Sequence, residues 1–102
     1  MNNLYILDEQ GRAVLEHDMK TWAMWFETAD RLIARTDVGD VVRISTVFLG
    51  IDHNFLHKGP PVLWETMTFG YGDQQQQRYT SREAALAGHE AMVRRVRNEL
   101  EN

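Results

Sequence analysis

With 102 residues, a formal net charge of −4 and no cysteine, the chain has room for one domain, taken to span 1–102, and it sets up no basic field to gather nucleic acid. The absence of sulfur ligands excludes a disulfide framework, a thiolate nucleophile and any zinc site built on cysteine. Apolar residues make up 43% of the sequence, with three Trp, three Tyr and four Phe, enough to build a core rather than a disordered segment.

Leu4 to Leu7 is a short β-prone run, Asp8-Glu9-Gln10-Gly11 supplies turn residues, and Ala13 to Leu15 is the returning strand of a hairpin. Asp18 offers an N-cap for a helix predicted over 19–35. Within it Trp22, Trp25, Phe26, Ala29, Leu32 and Ile33 recur at spacings of three and four, opposed by Lys20, Glu27, Asp30, Arg31 and Arg35. Clustered aromatics are also what a base-stacking platform is made of, but the helical phase assigns these to the core. Val41 to Leu49 is the strongest strand signal, β-branched and aromatic with no breaker before Gly50. Its far end is apolar on both faces, as expected of a central strand or of one whose second face is covered by another subunit.

Val62 to Phe69 is the partner strand, and Gly70 to Gln77 is expected to be a polar loop. Thr80-Ser81-Arg82-Glu83 matches a capping box and opens a helix over 81–100. Ala85, His89, Met92, Val93, Val96 and Leu100 make its inner stripe, which places His89 as a hydrogen-bonded core histidine. Arg94, Arg95 and Arg97 are interspersed with Glu90, Glu99 and Glu101, the pattern of a solvated face. The resulting fold class is α+β: ββαββα, an antiparallel sheet with two helices on one face. No basic and apolar leader opens the sequence and no apolar run approaches the ~20 residues of a membrane span, so a soluble protein of a reducing bacterial cytosol is expected.

The segment with the densest chemistry is 50–61, Gly-Ile-Asp-His-Asn-Phe-Leu-His-Lys-Gly-Pro-Pro. Loops that only connect are built from Gly, Ser, Asn and Pro, whereas this one concentrates Asp52, His53, Asn54, His57 and Lys58 between two strands, where binding residues tend to sit. Asp52, His53 and His57, with Glu65 on the returning strand, supply two imidazoles and two carboxylates suited to zinc, manganese or iron, and would make the protein a metal-dependent enzyme. His53 oriented by Asp52 or Glu65 is a candidate general base, although no activated nucleophile accompanies it. The preferred alternative is a non-enzymatic binding site for a small anionic or nucleotide-like ligand. His53 and Asn54 would offer hydrogen bonds, Phe55, Trp64 or Tyr79 a stacking face, and Arg43, Lys58, Arg78 or Arg82 positive charge, with Asp52 and Glu65 also counted among the binding residues. Arg82 falls in the first turn of the last helix, which already favours anions. Against all of these stands a loop whose polar side chains cap its own backbone. No glycine-rich phosphate loop, dinucleotide fingerprint or His-Glu-x-x-His is present.

The residues Ser45-Thr46-Val47-Phe48-Leu49-Gly50-Ile51-Asp52-His53-Asn54-Phe55, then Gly59-Pro60-Pro61-Val62-Leu63-Trp64-Glu65-Thr66-Met67, Arg78-Tyr79-Thr80 and Gly88-His89 resemble a group of small uncharacterised proteins encoded by bacteriophages, prophages and some bacteria. Trp22-x-x-Trp25-Phe26-Glu27 and Val38-Gly39-Asp40 extend the resemblance over nearly the whole chain. It implies a phage-related accessory role and carries no reaction, cofactor or ligand. The expected partners are therefore a second copy of the chain, with a dimer favoured, and a small ligand or a host protein bound in a structural or interaction role.

Overall fold

In the computed structural model, which describes residues 3–56, 58–72 and 74–101, the acidic turn near the N-terminus acts as its residues suggest. The Asp8 carboxylate accepts the amides of Gln10 and Arg12 at 2.9 and 2.8 Å. The turn folds β1 (Tyr5–Leu7) onto β2 (Ala13–Leu15) as an antiparallel hairpin. Asp18 then caps α1 (Met19–Thr28), accepting from the Lys20 amide at 3.1 Å and the Thr21 hydroxyl at 2.8 Å.

The first helix is shorter than the 19–35 predicted. Ala29 is extended, at φ −73° and ψ 143°, while its N–H still closes the last helical bond to Trp25. The Asp30 carboxylate accepts the Leu32 amide at 3.0 Å, and the chain continues as a strand, β3 (Leu32–Val38). Helical spacing runs on through Leu32 and Ile33, yet Ala34, Thr36 and Val38 alternate with Arg35 and Asp37 at strand period. Antiparallel pairing with β4 (Val42–Phe48) decides between the two patterns. β5 (Trp64–Phe69) pairs on the other side of β4, making β4 a central strand as expected.

The polar stretch expected as loop contributes a fourth strand, β6 (Gln76–Tyr79). Gln76, Gln77 and Arg78 have little strand preference of their own. Pairing of Trp64 with Tyr79 and of Glu65 with Arg78 holds them against β5. The sheet order is β3-β4-β5-β6, with the β1-β2 hairpin forming a separate sheet. The last element, α2 (Arg82–Glu101), begins one residue later than the capping box implied. The Ser81 hydroxyl accepts the Ala84 amide at 3.0 Å, so Ser81 rather than Thr80 caps it. The chain is thus α+β in the order ββαββββα.

One face of the sheet holds the core. Val42 and Ile44 pack against Met92, Val93 and Val96 of α2. Phe48, Leu63, Trp64 and Ala85 form a second cluster at the other end, joined by Tyr5, Trp25 and Tyr79. Trp25 meets Phe48 edge-on with centroids 6.0 Å apart, so both helices reach the same face. Leu100, expected on the inner stripe, is exposed. Between the two clusters the interior is polar. His89 is fully buried, with Nε2 2.9 Å from the Thr36 hydroxyl and Nδ1 2.8 Å from that of Thr46, which in turn lies 2.5 Å from the Thr66 hydroxyl. The opposite face carries Leu32, Arg35, Asp37, Arg43, Val47, Glu65, Met67, Phe69 and Arg78 by pleat, and Leu32 and Phe69 there are nearly half exposed. The radius of gyration, 15.0 Å, exceeds the ~13 Å of a compact chain of about this length. The molecule is elongated, 49 × 30 × 23 Å.

Candidate functional site

The 50–61 segment leaves β4 at Gly50, whose φ of +78° is open to glycine without penalty. A Cβ there would press on the Phe26 ring at 3.1 Å. The Gly50 carbonyl accepts from the Tyr5 amide at 2.9 Å and from the Trp22 indole at 3.0 Å. Ile51 bridges to Leu4, and the Asp52 amide donates to the Asn3 carbonyl at 2.9 Å. The loop therefore begins bridged to the residues leading into β1 and ties the hairpin to the main sheet.

Its polar side chains close it from within. One oxygen of Asp52, Oδ1, accepts the amides of Asn54 at 2.8 Å and Val62 at 2.9 Å. The Asn54 side-chain NH2 donates to the Lys58 and Pro60 carbonyls at 2.6 and 3.1 Å. His53 donates from Nδ1 to the Ile51 carbonyl at 2.7 Å, a bond that fixes the proton on that nitrogen because a carbonyl only accepts. The His53 ring lies beside Phe55, centroids 5.6 Å apart. The result is a stapled loop whose tip displays Phe55 and Leu56, 68% and 81% exposed. Asp52→Ala is expected to cost about 2 kcal/mol by leaving two backbone donors without their anionic acceptor. Asp52→Asn, which keeps an acceptor oxygen, should cost under about 1 kcal/mol. Denaturant unfolding with amide exchange at Asn54 and Val62 separates the two.

The other candidate residues are dispersed. Glu65 is buried on the far face of the sheet and accepts from the Arg78 guanidinium at 2.8 Å. Arg43 lies on that face too, 3.3 Å from Asp37. Trp64 is buried in the core between Phe48 and the strand pair of Tyr79, which removes it as a stacking face. Tyr79 packs against Gly88 of α2 with its hydroxyl enclosed. Arg82 rests over Gly11 in the first hairpin turn. His57 lies outside the described residues. Among the described residues no three His, Asp or Glu side chains converge to hold a metal ion.

Among the described residues, surface grooves lined by the β3–β4 turn, by the β6–α2 flank and by the 70–75 region include no residue of the 50–61 loop. His89 is walled in by threonines, and burial lowers its pKa while the neighbouring Glu90 opposes the shift weakly. It is a structural group. Leu56 is the candidate that residue type alone does not flag: two adjacent apolar residues at the centre of a polar loop are its only signal, and the ionisable groups beside them are a louder one. Among the described residues no helix is long and apolar enough to cross a membrane. Comparison with protein-family models, with curated proteins and with solved structures finds no match to the chain.

Proposed function

We propose that this is a phage-related accessory protein of the bacterial host cytosol, non-enzymatic, which binds a host protein through the tip of the 50–61 loop and works as a homodimer. The observation that carries the reading is the pairing of a side-chain-stapled loop with an apolar tip. Asp52 and Asn54 tie the two ends of the loop together, so Phe55 and Leu56 stand at the tip of a loop that is already closed before docking. An aromatic anchor beside an aliphatic one, held clear of the surface, suits insertion into an apolar pocket of a partner. The small-ligand reading is less well supported, because the groups it needs are occupied: Asp52 and Asn54 by backbone, Arg78 by Glu65.

The test is affinity capture from host lysate, comparing the wild-type chain with the double variant Phe55→Asp/Leu56→Asp and with Met24→Asp, an exposed apolar control in α1. A partner retained by wild type and control and lost by the tip variant is the expected result, each anchor contributing at least ~2 kcal/mol, or about 30-fold in affinity. A partner captured equally by the tip variant would refute the reading. A thermal shift with nucleotides that vanishes in Arg78→Ala would restore the small-ligand alternative.

A further inference from the structure

We infer that the chain dimerises by antiparallel pairing of the free edge of β3 with the same edge of a second copy, in the register that centres the two-fold axis on Thr36. The inference rests on the proposed homodimer and adds its surface and its register. Bonds from the Leu49 amide to the Leu63 carbonyl, 2.7 Å, and from the Phe48 amide to the Arg31 carbonyl, 2.8 Å, set the alternation of the ladder. Odd-numbered residues of β4 bond to β5 and even-numbered ones to β3. Paired with Thr46, Ile44 and Val42, residues Ala34, Thr36 and Val38 therefore bond inward. Arg35 and Asp37 turn their backbone N–H and C=O out along the edge.

A second β3 can pair there only by matching outward residue to outward residue. Centred on Arg35 the pairing sets arginine against arginine; centred on Asp37 it sets carboxylate against carboxylate. Centred on Thr36, Arg35 stands opposite the partner's Asp37 and Asp37 opposite the partner's Arg35, giving two reciprocal bonded rings, each with opposite charges across it. Ala34 and Val38 then meet on the core side. The irregularity between Leu32 and Ala34 ends the usable edge on one side and the Gly39 turn ends it on the other. Arg35 and Asp37 are about half exposed in the monomer, 3.3 Å apart on one strand, so neither is committed to a buried partner. The other edge, β6, is shorter, and its outward residues Gln76 and Arg78 offer no opposite charges to a copy of themselves.

Such an edge buries less than the ~800 Å² per partner of a standard interface, so the dimer should be concentration-dependent. Sedimentation of the wild-type chain across the micromolar range is expected to move from one chain mass toward two. Protection of the Arg35 and Asp37 amides against exchange should rise in parallel. Arg35→Asp and Asp37→Arg are each expected to weaken association at least tenfold by opposing like charges, and the double swap Arg35→Asp/Asp37→Arg to restore it. Arg35→Pro, which removes an outward donor and no bond to β4, is expected to abolish it with the thermal unfolding of the monomer intact. A single-chain mass throughout would overturn both the dimer and the edge. A dimer indifferent to the charge variants and to Arg35→Pro, with unprotected Arg35 and Asp37 amides, would overturn the edge alone.

Discussion

Replacing His89 by alanine is expected to lower the free energy of unfolding by about 3–5 kcal/mol, a large share of the ~5–15 kcal/mol that holds a domain together. Two losses add. The imidazole leaves a void between α2 and the sheet, and the hydroxyls of Thr36 and Thr46 lose the nitrogens they face at 2.9 and 2.8 Å. Thr46 keeps Thr66, but Thr36 is left facing the void. His89→Leu fills most of the volume without restoring the hydrogen bonds and should recover roughly half the loss. Equal damage from both variants in denaturant melts would show that packing contributes nothing here.

The same residue sets a pH dependence. A neutral imidazole satisfies the threonines in either tautomer, with one nitrogen donating and the other accepting, whereas the charged form has to be desolvated. The folded pKa therefore lies below the ordinary 6.5. At pH values between the two, the unfolded chain binds more protons than the folded one, so stability rises with pH. The contribution is complete above about 6.5 and is lost as pH falls from there through the folded value. Melting temperatures measured from about pH 8 down to about pH 5 should fall below the ordinary histidine pKa of ~6.5 in the wild type, and that segment of the curve should flatten in His89→Leu.

Gly88→Ala is expected to destabilise by about 2 kcal/mol, against the direction of helix propensity. In an exposed helix interior the exchange would gain ~1 kcal/mol. Here the Tyr79 ring and hydroxyl occupy the space a Cβ would enter, and Tyr79 cannot retreat because its strand is paired to Trp64. The overpacking cost, roughly 1–3 kcal/mol, therefore exceeds the gain. Tyr79→Ala reverses the sign: in that background Gly88→Ala should stabilise by ~0.5–1 kcal/mol. A double-mutant cycle in urea measures it, and a destabilising Gly88→Ala in both backgrounds would point to a backbone cause.

The stapled loop is half legible in the amino-acid sequence. Asp52 and Asn54 are residue types that bond nearby backbone, so residue type alone sets a capping role beside a metal or ligand site. Which role holds depends on Val62 and Pro60 returning to within 3.1 Å of those side chains, and chain order says nothing of that closure.

Elements whose signals are local follow directly from the amino-acid order. The Asp8 to Gly11 turn, the Asp18 cap, the β-branched run through Val42–Phe48 and the amphipathic stripe of Ala85, His89, Met92, Val93 and Val96 are each specified by residues a few positions apart, where propensity, capping and periodicity act directly. Strands β3 and β6 depend instead on long-range pairing. Leu32 and Ile33 fit a helix as well as a strand, and Gln76 and Gln77 have no strand preference of their own. What settled them was the hydrogen-bonding capacity of the two edges of the β4–β5 pair, together with a polar core position at His89 that Thr36 on β3 completes. Those bonds join residues far apart in sequence, and their free energy outweighs local preferences of a few tenths of a kcal/mol per residue.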